Sequence, residues 1–298
     1  MIGWLIYNGS LKMKKFMEIH EMYVKSAAEA GIHLVMVENR EVTALMENDA
    51  LKIKIKPDIP DPDFILFLDK DIRLAGQLEA LGYRLFNSAE AIRVCDDKIL
   101  TAQVLGTKHI PMPKTVFSPL VFPGVEEPDV QHFIETIERE FQYPIIVKEA
   151  FGSFGAQVYL VRNRSELLEK RKKLLYTPHL YQEFIEESRG KDVRLYVVGD
   201  RVVTGMMRTN ERDFRANVTN GGTMHTFDPP EAFSALAVRA SKAVGAAFSG
   251  VDLLFGKDGN PLVCEVNSNA HIKNVYDCTG IDVSEYIFRY IKEQMNDV

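Results

Sequence analysis

The chain has 298 residues, enough for about two domains of ordinary size, with 36 Lys and Arg against 42 Asp and Glu and a net charge of −6. That mildly acidic balance excludes a protein that coats nucleic acid through surplus cationic charge. A hydrophobic content of 46% and a charged content of 26% belong to a globular chain with a substantial core.

Cys95, Cys264 and Cys278 are too few for a disulfide framework and fit no zinc spacing. They read as reduced thiols of a cytoplasmic protein. The apolar stretch 2–7 precedes the first lysines and is too short for a signal peptide. No run approaches the length of a membrane span, so no membrane partner is expected.

In chain order, residues 2–7 predict a buried strand. Residues 13–30 predict a helix, with Met13, Phe16, Met17, Tyr23, Val24, Ala27 and Ala28 at helical spacing and Gly31 as its stop. IHLVMVE (32–38) and FILFLD (64–69) are further strands, and the alternating KIKIK at 52–56 is an exposed or edge strand. Residues 72–81 predict a helix, with YRLF after it. This alternation implies a parallel sheet flanked by helices over about the first 90 residues.

Residues 96–106 predict a helix that Asp96 could cap. The proline-rich stretch 109–129 reads as a connection and a domain boundary. A helix around 129–140, strands at 143–150 and AQVYLV (156–161), and a helix at 164–175 follow. The run Lys170–Lys173 reads as a solvated helix face. Strands 192–198 and 201–208 are joined by the turn Gly199-Asp200. The segment 209–227 has little periodicity. A helix opens after Asp228-Pro229-Pro230, SGVDLLF and PLVCEVN are strands around a turn at 256–260, and a last helix starts at Asp282.

Charges set into apolar strands need partners, because burying an unpaired charge is costly. Lys148 ends Pro144-Ile-Ile-Val-Lys148 and precedes Phe151-Gly152-Ser153-Phe154-Gly155. A small-residue loop beside a lysine can cradle phosphate oxygens, though a plain β-turn beside an edge-strand lysine reads the same way. It is neither a P-loop nor a dinucleotide fingerprint. Glu265 and Asn267 share one strand face; if their strand pairs with Val251-Asp252-Leu253, three oxygen ligands converge. Such a set suits Mg²⁺ or Mn²⁺ held jointly with phosphates; a solvated sheet face is the other reading. Asp192 and Arg194 face one way on their strand, Arg208 ends the next, and Arg215 and Asn217 share a face if 214–218 is extended. Several arginines aimed at one cleft repel unless an anion sits there, and arginine suits carboxylate or phosphate; singly, each could be a surface salt bridge. Gln182-Glu183-Phe184-Ile185 reads as a strand running into a linker that could meet a base edge. Cys264 reads as core, and His271 stands in a polar loop with no nucleophilic triad around it.

Taken in order, these pieces resemble the ATP-grasp superfamily, and within it the RimK-like carboxylate–amine ligases, best known for adding glutamate. The resemblance covers about residues 88–292. Arg93-Val-Cys-Asp-Asp97-Lys98 and Ile110-Pro-Met-Pro113 resemble the lead-in helix and proline turn. Lys148 with the loop 152–155, Gln182–Ile185, Asp192-x-Arg194, Phe214-Arg215-Ala-Asn217 with Gly221-Gly222, Gly250-Val-Asp252, Glu265-Val-Asn267 and Thr279-Gly-Ile-Asp282 match the rest in order. The family turn after E-V-N is replaced by Ser268-Asn-Ala-His271-Ile-Lys273-Asn274, whose polar residues border the expected substrate site.

The resemblance implies an α/β (α+β) ATP-grasp fold. Residues 1–90 would form a parallel, Rossmann-like pre-ATP-grasp domain, 91–185 a central subdomain with a mobile glycine loop, and 186–298 a C-terminal subdomain with the metal and substrate site. The implied activity is an ATP-dependent ligase forming an amide through an acyl phosphate, from a carboxylate and an amine (an amino acid, peptide or carrier protein), with release of ADP and phosphate. Nucleotide contacts would come from Lys98, Lys148, Gly152, Ser153, Gly155, Gln182, Glu183, Phe184, Ile185, Asp192, Arg215 and Asn217. Arg194, Arg208 and Arg215 would neutralise the reacting groups, and Asp252, Glu265 and Asn267 would hold one or two Mg²⁺ or Mn²⁺ ions. A homo-oligomer, dimer or tetramer, is implied. The alternative is a non-catalytic ATP-binding regulatory protein of the same fold. A dinucleotide oxidoreductase is disfavoured, since residues 7–13 lack the glycine fingerprint.

Overall fold

The computed structural model describes residues 1–125, 130–152, 155–218 and 221–296. The chain begins with β1 (Ile2–Tyr7), α1 (Lys14–Glu29), β2 (His33–Glu38), β3 (Thr43–Glu47), β4 (Ala50–Lys54), β5 (Phe64–Leu68), α2 (Ile72–Ala80) and β6 (Leu85–Phe86). Strands β2-β1-β5-β6 form a parallel sheet in that order. Phe-Ile-Leu-Phe-Leu of β5 is buried on both faces, which is why it reads as an unbroken apolar run. Lys52 and Lys54 of the alternating run belong to β4, which ends before Lys56 and pairs with β3, a strand the sequence reading missed. Asn48 and Asp49 turn that hairpin at φ 53° and 59°, as a tight two-residue loop needs. Helix α1 buries Ile19, His20, Tyr23, Ser26 and Ala27. Met13, Met17 and Val24, expected on its inner face, are exposed.

The helix predicted at 96–106 is α4 (Lys98–Thr107), and a further helix that the sequence reading missed, α3 (Ala89–Asp96), precedes it. Asp97 rather than Asp96 caps α4, accepting from the Ile99 and Leu100 amides at 2.8 and 3.2 Å. Asp96 closes α3 and pairs with Lys70.

A second, antiparallel sheet has the order β7 (Thr115–Phe117), β10 (His179–Glu183), β8 (Ile145–Glu149), β9 (Val158–Val161). Helices α5 (Val130–Glu140) and α6 (Arg164–Lys173) cover it through Ile134, Ile137 and Leu167 against Ile145, Val147 and Tyr181. Strand β7 sits inside the proline-rich connection, where no strand was expected. The basic run on α6 is not a solvated face throughout. Arg171 is fully buried one turn from Leu167, 4.8 Å over the Phe133 ring and 3.4 Å from His179 Nε2.

The third sheet is antiparallel, in the order β13 (Thr223–Thr226), β12 (Arg201–Thr209), β11 (Lys191–Val198), β14 (Phe248–Phe255), β15 (Pro261–Asn267). Helix α7 (Glu231–Ala243) packs on one face through Phe233, Leu236 and Ala240. Helices α8 (Ile272–Thr279) and α9 (Val283–Asn296) pack on the other. Helix α8 replaces the second half of the loop expected at 268–274, and Gly280, at φ 73°, stops it in the left-handed conformation.

One core joins the first and third sheets: Leu5, Tyr23 and Phe64 share it with Tyr196, Phe248 and Phe288. Asn87, fully buried, stitches the same seam. Its amide donates to the Phe248 and Ser268 carbonyls at 2.9 and 2.8 Å and accepts from the Ala247 and Phe248 amides at 2.6 and 3.3 Å. Among the described residues no helix is long and apolar enough to cross a membrane.

Candidate active site

A cavity of about 510 Å³ lies where the three sheets meet, within the range of small-molecule sites. Its floor is set by register. Asp252 on β14 lies opposite Glu265 on β15, and Gly250 opposite Asn267. The pairing shifts between Asp252 and Leu253, leaving Cys264 as the extra residue of a bulge. All three predicted metal ligands line the cavity.

The strand β11 pairs on both sides, and that accounts for the guanidinium cluster. Asp192 lies opposite Arg208 of β12, and Arg194 opposite Asp252 of β14. Arg208 donates to Asp192 through Nε and Nη2 at 2.7 and 2.6 Å and to Asp252 at 2.9 Å. Arg194 holds Asp252 bidentately at 2.6 and 2.7 Å. The anions that these arginines required are therefore already in the protein, which corrects the expectation that the mutual repulsion awaits a ligand. Burial raises both carboxyls, but Asp252 faces two guanidinia that outweigh it and hold it down at about 2. Asp192, with Arg208 alone bonded to it, stays raised by its burial. Arg215 is apart from this cluster. It chelates Asp213 at 3.0 and 2.8 Å and donates to the Gly155 carbonyl at 2.6 Å. Residues 211–217 turn rather than extend, yet Arg215 and Asn217 both face the cavity.

Lys98, at the start of α4, donates to the Gly152 carbonyl at 3.1 Å and stands 3.8 Å from Glu265. Lys148 on β8 is buried, with the Cys264 thiol at 3.5 Å and no carboxylate within ion-pair reach among the described residues. A buried ammonium so placed needs an anion. Gly152 and Gly155 sit at φ 146° and 73°, and a Cβ on Gly155 would come within 2.9 Å of Asn217 Oδ1. Ser153 lies outside the described residues. Gln182, Glu183, Phe184 and Ile185 line the cavity at the end of β10, with Gln182 Nε2 on Thr115 Oγ1 at 3.0 Å.

Three oxygen donors and two charges suit a hard divalent cation. Asp252 Oδ1 accepts one bond and so keeps an open lone pair. Asn267 turns its amide nitrogen to the Gly250 carbonyl at 3.4 Å, and its Oδ1 accepts nothing among the described residues. The residues fit such an ion, although no group of three or more His, Cys, Asp or Glu is gathered among those described.

The first sheet supplies a wall that sequence reasoning missed: Tyr7 at the end of β1 and Asn8 after it, Asp69 and Lys70 beyond β5, and Lys15, Phe16 and His20 from α1. The carboxyl ends of parallel strands are where such sheets receive ligands, so the β1 and β5 ends could have been named. Nothing in the spacing singled out α1. Of the polar segment after Asn267, His271 and Asn274 reach the cavity, whereas Lys273 pairs with Asp277 instead. Burial, with Lys15 and Arg194 nearby, holds His271 at about 4. Burial also pushes the Cys264 thiol up, which keeps it protonated at neutral pH.

Sheet order, glycine loop, paired lysines and acidic floor together define an ATP-grasp ligase. A profile of the RimK-like ATP-grasp domain matches residues 95–291. The chain is 37% identical over 222 residues to the "Probable alpha-L-glutamate ligase" of Xanthomonas oryzae pv. oryzae, covering 74% of this chain and 72% of that one. It is 31% identical over 275 residues to N-acetylaspartylglutamate synthase A of Mus musculus, covering 89% and 70%. The structure of the ATP-grasp ligase PsnB complexed with minimal precursor, Mg and ADP superposes with a TM-score of 0.71 at 17% identity, covering 99% and 97%. The chain belongs to the RimK-like ATP-grasp family and is an ATP-dependent ligase that joins a carboxylate to an amine.

Proposed function

We propose that this ligase adds a glutamate-like amino acid to an amino-acid, peptide or protein acceptor through an acyl phosphate. The glutamate named in its relatives supports the amino acid. The observation that carries the reading is Lys148, a buried cation without a carboxylate partner among the described residues, in one cavity with Asp252, Glu265 and the guanidinium cluster. Phosphoryl transfer asks for positioning and charge neutralisation more than for covalent help, and these residues supply both.

In the first step an oxygen of the acceptor carboxylate takes the γ-phosphoryl group of ATP, forming the acyl phosphate and releasing ADP. In the second the amine nitrogen attacks the acyl carbon, the C–O bond to phosphate breaks, and the nitrogen loses a proton to leave the amide. Lys98 and Lys148 hold the α- and β-phosphates, and Gln182–Ile185 receive the adenine. Arg194, Arg208 and Arg215 neutralise the carboxylate and the leaving phosphate, with Asp192 positioning Arg208. Asp252, Glu265 and Asn267 would hold one or two Mg²⁺ or Mn²⁺ ions, which supply charge neutralisation at the phosphates. Gly152 and Gly155 approach the nucleotide and keep water from the acyl phosphate. Residues 1–90, 91–185 and 186–298 divide as acceptor, nucleotide and metal-binding parts, and a cytoplasmic dimer or tetramer is the expected assembly.

The test is ADP release from MgATP with L-glutamate and pools of amino acids and short peptides, beside Glu265→Ala. Stimulation by an acceptor together with glutamate, absent in the variant, is expected. ATP binding with no stimulation by any pool would overturn the amino-acid and peptide acceptors and leave a protein acceptor or the non-catalytic binding protein.

A further inference from the structure

One wall of the cavity is formed by α1 and the segment 268–274. This wall is rigid. Asn269 Nδ2 donates to the Leu68 carbonyl at 2.8 Å, Tyr196 donates its hydroxyl to the His271 carbonyl at 2.7 Å, and the Phe16 ring meets the His271 ring edge-on at 5.1 Å. Five basic side chains line the cavity here: Lys15, His20, Lys70, Arg194 and His271. Burial keeps both histidines neutral at pH 7. Lys70 is paired with Asp96, and Arg194 with Asp252. The local acid, Asp69, is already bonded by Asn39 at 2.8 Å and by the Lys70 amide at 2.7 Å.

Of the three side chains that carry charge, Lys15 alone has no hydrogen bond or ion pair among the described residues. The carboxylates nearest along its helix and on α8 are taken, Glu18 by Lys14 at 3.6 Å and Asp277 by Lys273. Burial and the Arg194 charge both disfavour its ammonium, with Asp277 opposing them. A half-buried cation without a partner at a cavity wall is relieved by an anion placed beside it.

We propose that Lys15 is a specificity residue that binds a carboxylate of the substrate other than the one activated, so that the enzyme selects acidic substrates at the α1 wall. This rests on the ligase reading. The extra carboxylate belongs either to the incoming amino acid or to the acceptor, and the test separates the two.

Calorimetric titrations of L-glutamate against L-glutamine probe the amine substrate, and N-acetyl-L-aspartate against N-acetyl-L-asparagine probe the acceptor, each in the presence of MgADP. Wild type, Lys15→Met and Lys15→Arg are compared, with ADP affinity as the control for folding. In wild type the acid of one pair binds about tenfold or more tighter than its amide, the scale of one charge-assisted contact. Lys15→Met abolishes that preference while amide and ADP affinities stay unchanged, and Lys15→Arg keeps most of it. No acid preference in wild type for either pair, or equal weakening of acid and amide by Lys15→Met, overturns the proposal. ADP release with the same compounds is read separately. Its absence with acid preference intact counts against the ligase reading alone, and its presence without Lys15-dependent preference counts against the subsite alone.

Discussion

Replacing Asn87 by Ala should cost more than the loss of any exposed polar residue in the chain. The amide is fully buried and bonds four main-chain groups: the Ala247 and Phe248 amides and the Phe248 and Ser268 carbonyls. Each bond is worth about 1 kcal/mol net, and each buried group left unpaired costs about 1–3 kcal/mol. Some of the four will find water, so a total of about 3–5 kcal/mol is expected, a large share of a usual domain stability. Asn87→Asp is the sharper control. It keeps the acceptor for the two amides but turns an oxygen toward two carbonyls, so it should be no more stable than Asn87→Ala despite its matching size. Urea titration reads both. Trp4, the sole tryptophan, is buried in the first sheet and reports on that sheet by fluorescence, while circular dichroism reports on the whole. If the seam opens first, the two transitions separate in the variants and coincide in wild type. An Asn87→Ala stability within about 0.5 kcal/mol of wild type, an exposed-site effect, would show that the seam does not depend on this amide.

Two further outcomes follow from the site. Lys148→Met should weaken ATP binding by about 100-fold, the scale of a lost contact between charges, while leaving the urea midpoint unchanged or raised; a structural ion pair would instead lose stability. His271, held at about 4 against an ordinary 6.5, takes up its proton earlier in the unfolded chain. Its contribution is therefore present above about pH 6.5 and lost as pH falls towards 4, and His271→Gln should flatten that limb of the stability profile. Equal slopes for wild type and variant between pH 7 and pH 5 would show that His271 is not shielded as the structure has it.

What could be read from the residues alone was whatever depends on local period. Glu265 and Asn267 two apart, Asp192 and Arg194 two apart, and Lys148 at the end of an apolar strand announced themselves because a charge there breaks the pattern. The partners of those charges were hidden, because they depend on register. Asp192 finds Arg208 across β12, and Arg194 finds Asp252 across β14, contacts that no spacing encodes. Arg171 looked solvated because its three neighbours are basic, yet it shares the inward face of α6 with Leu167. Helix α8 escaped notice because it is short and buries only Ile272 and Val275, too few for a helical period to show. The α1 wall escaped for a tertiary reason. Lys15 and His20 have meaning only once the first sheet docks on the third.

The most direct test of carboxylate activation is isotopic. With the acceptor carboxylate labelled by ¹⁸O, activation requires one labelled oxygen to leave with the phosphate, since that oxygen takes the phosphoryl group and departs when the amine attacks. Mass spectrometry of the released phosphate should find one ¹⁸O atom per amide formed. Unlabelled phosphate accompanying amide formation would contradict an acyl phosphate and, with it, the roles proposed for Lys148 and the guanidinium cluster.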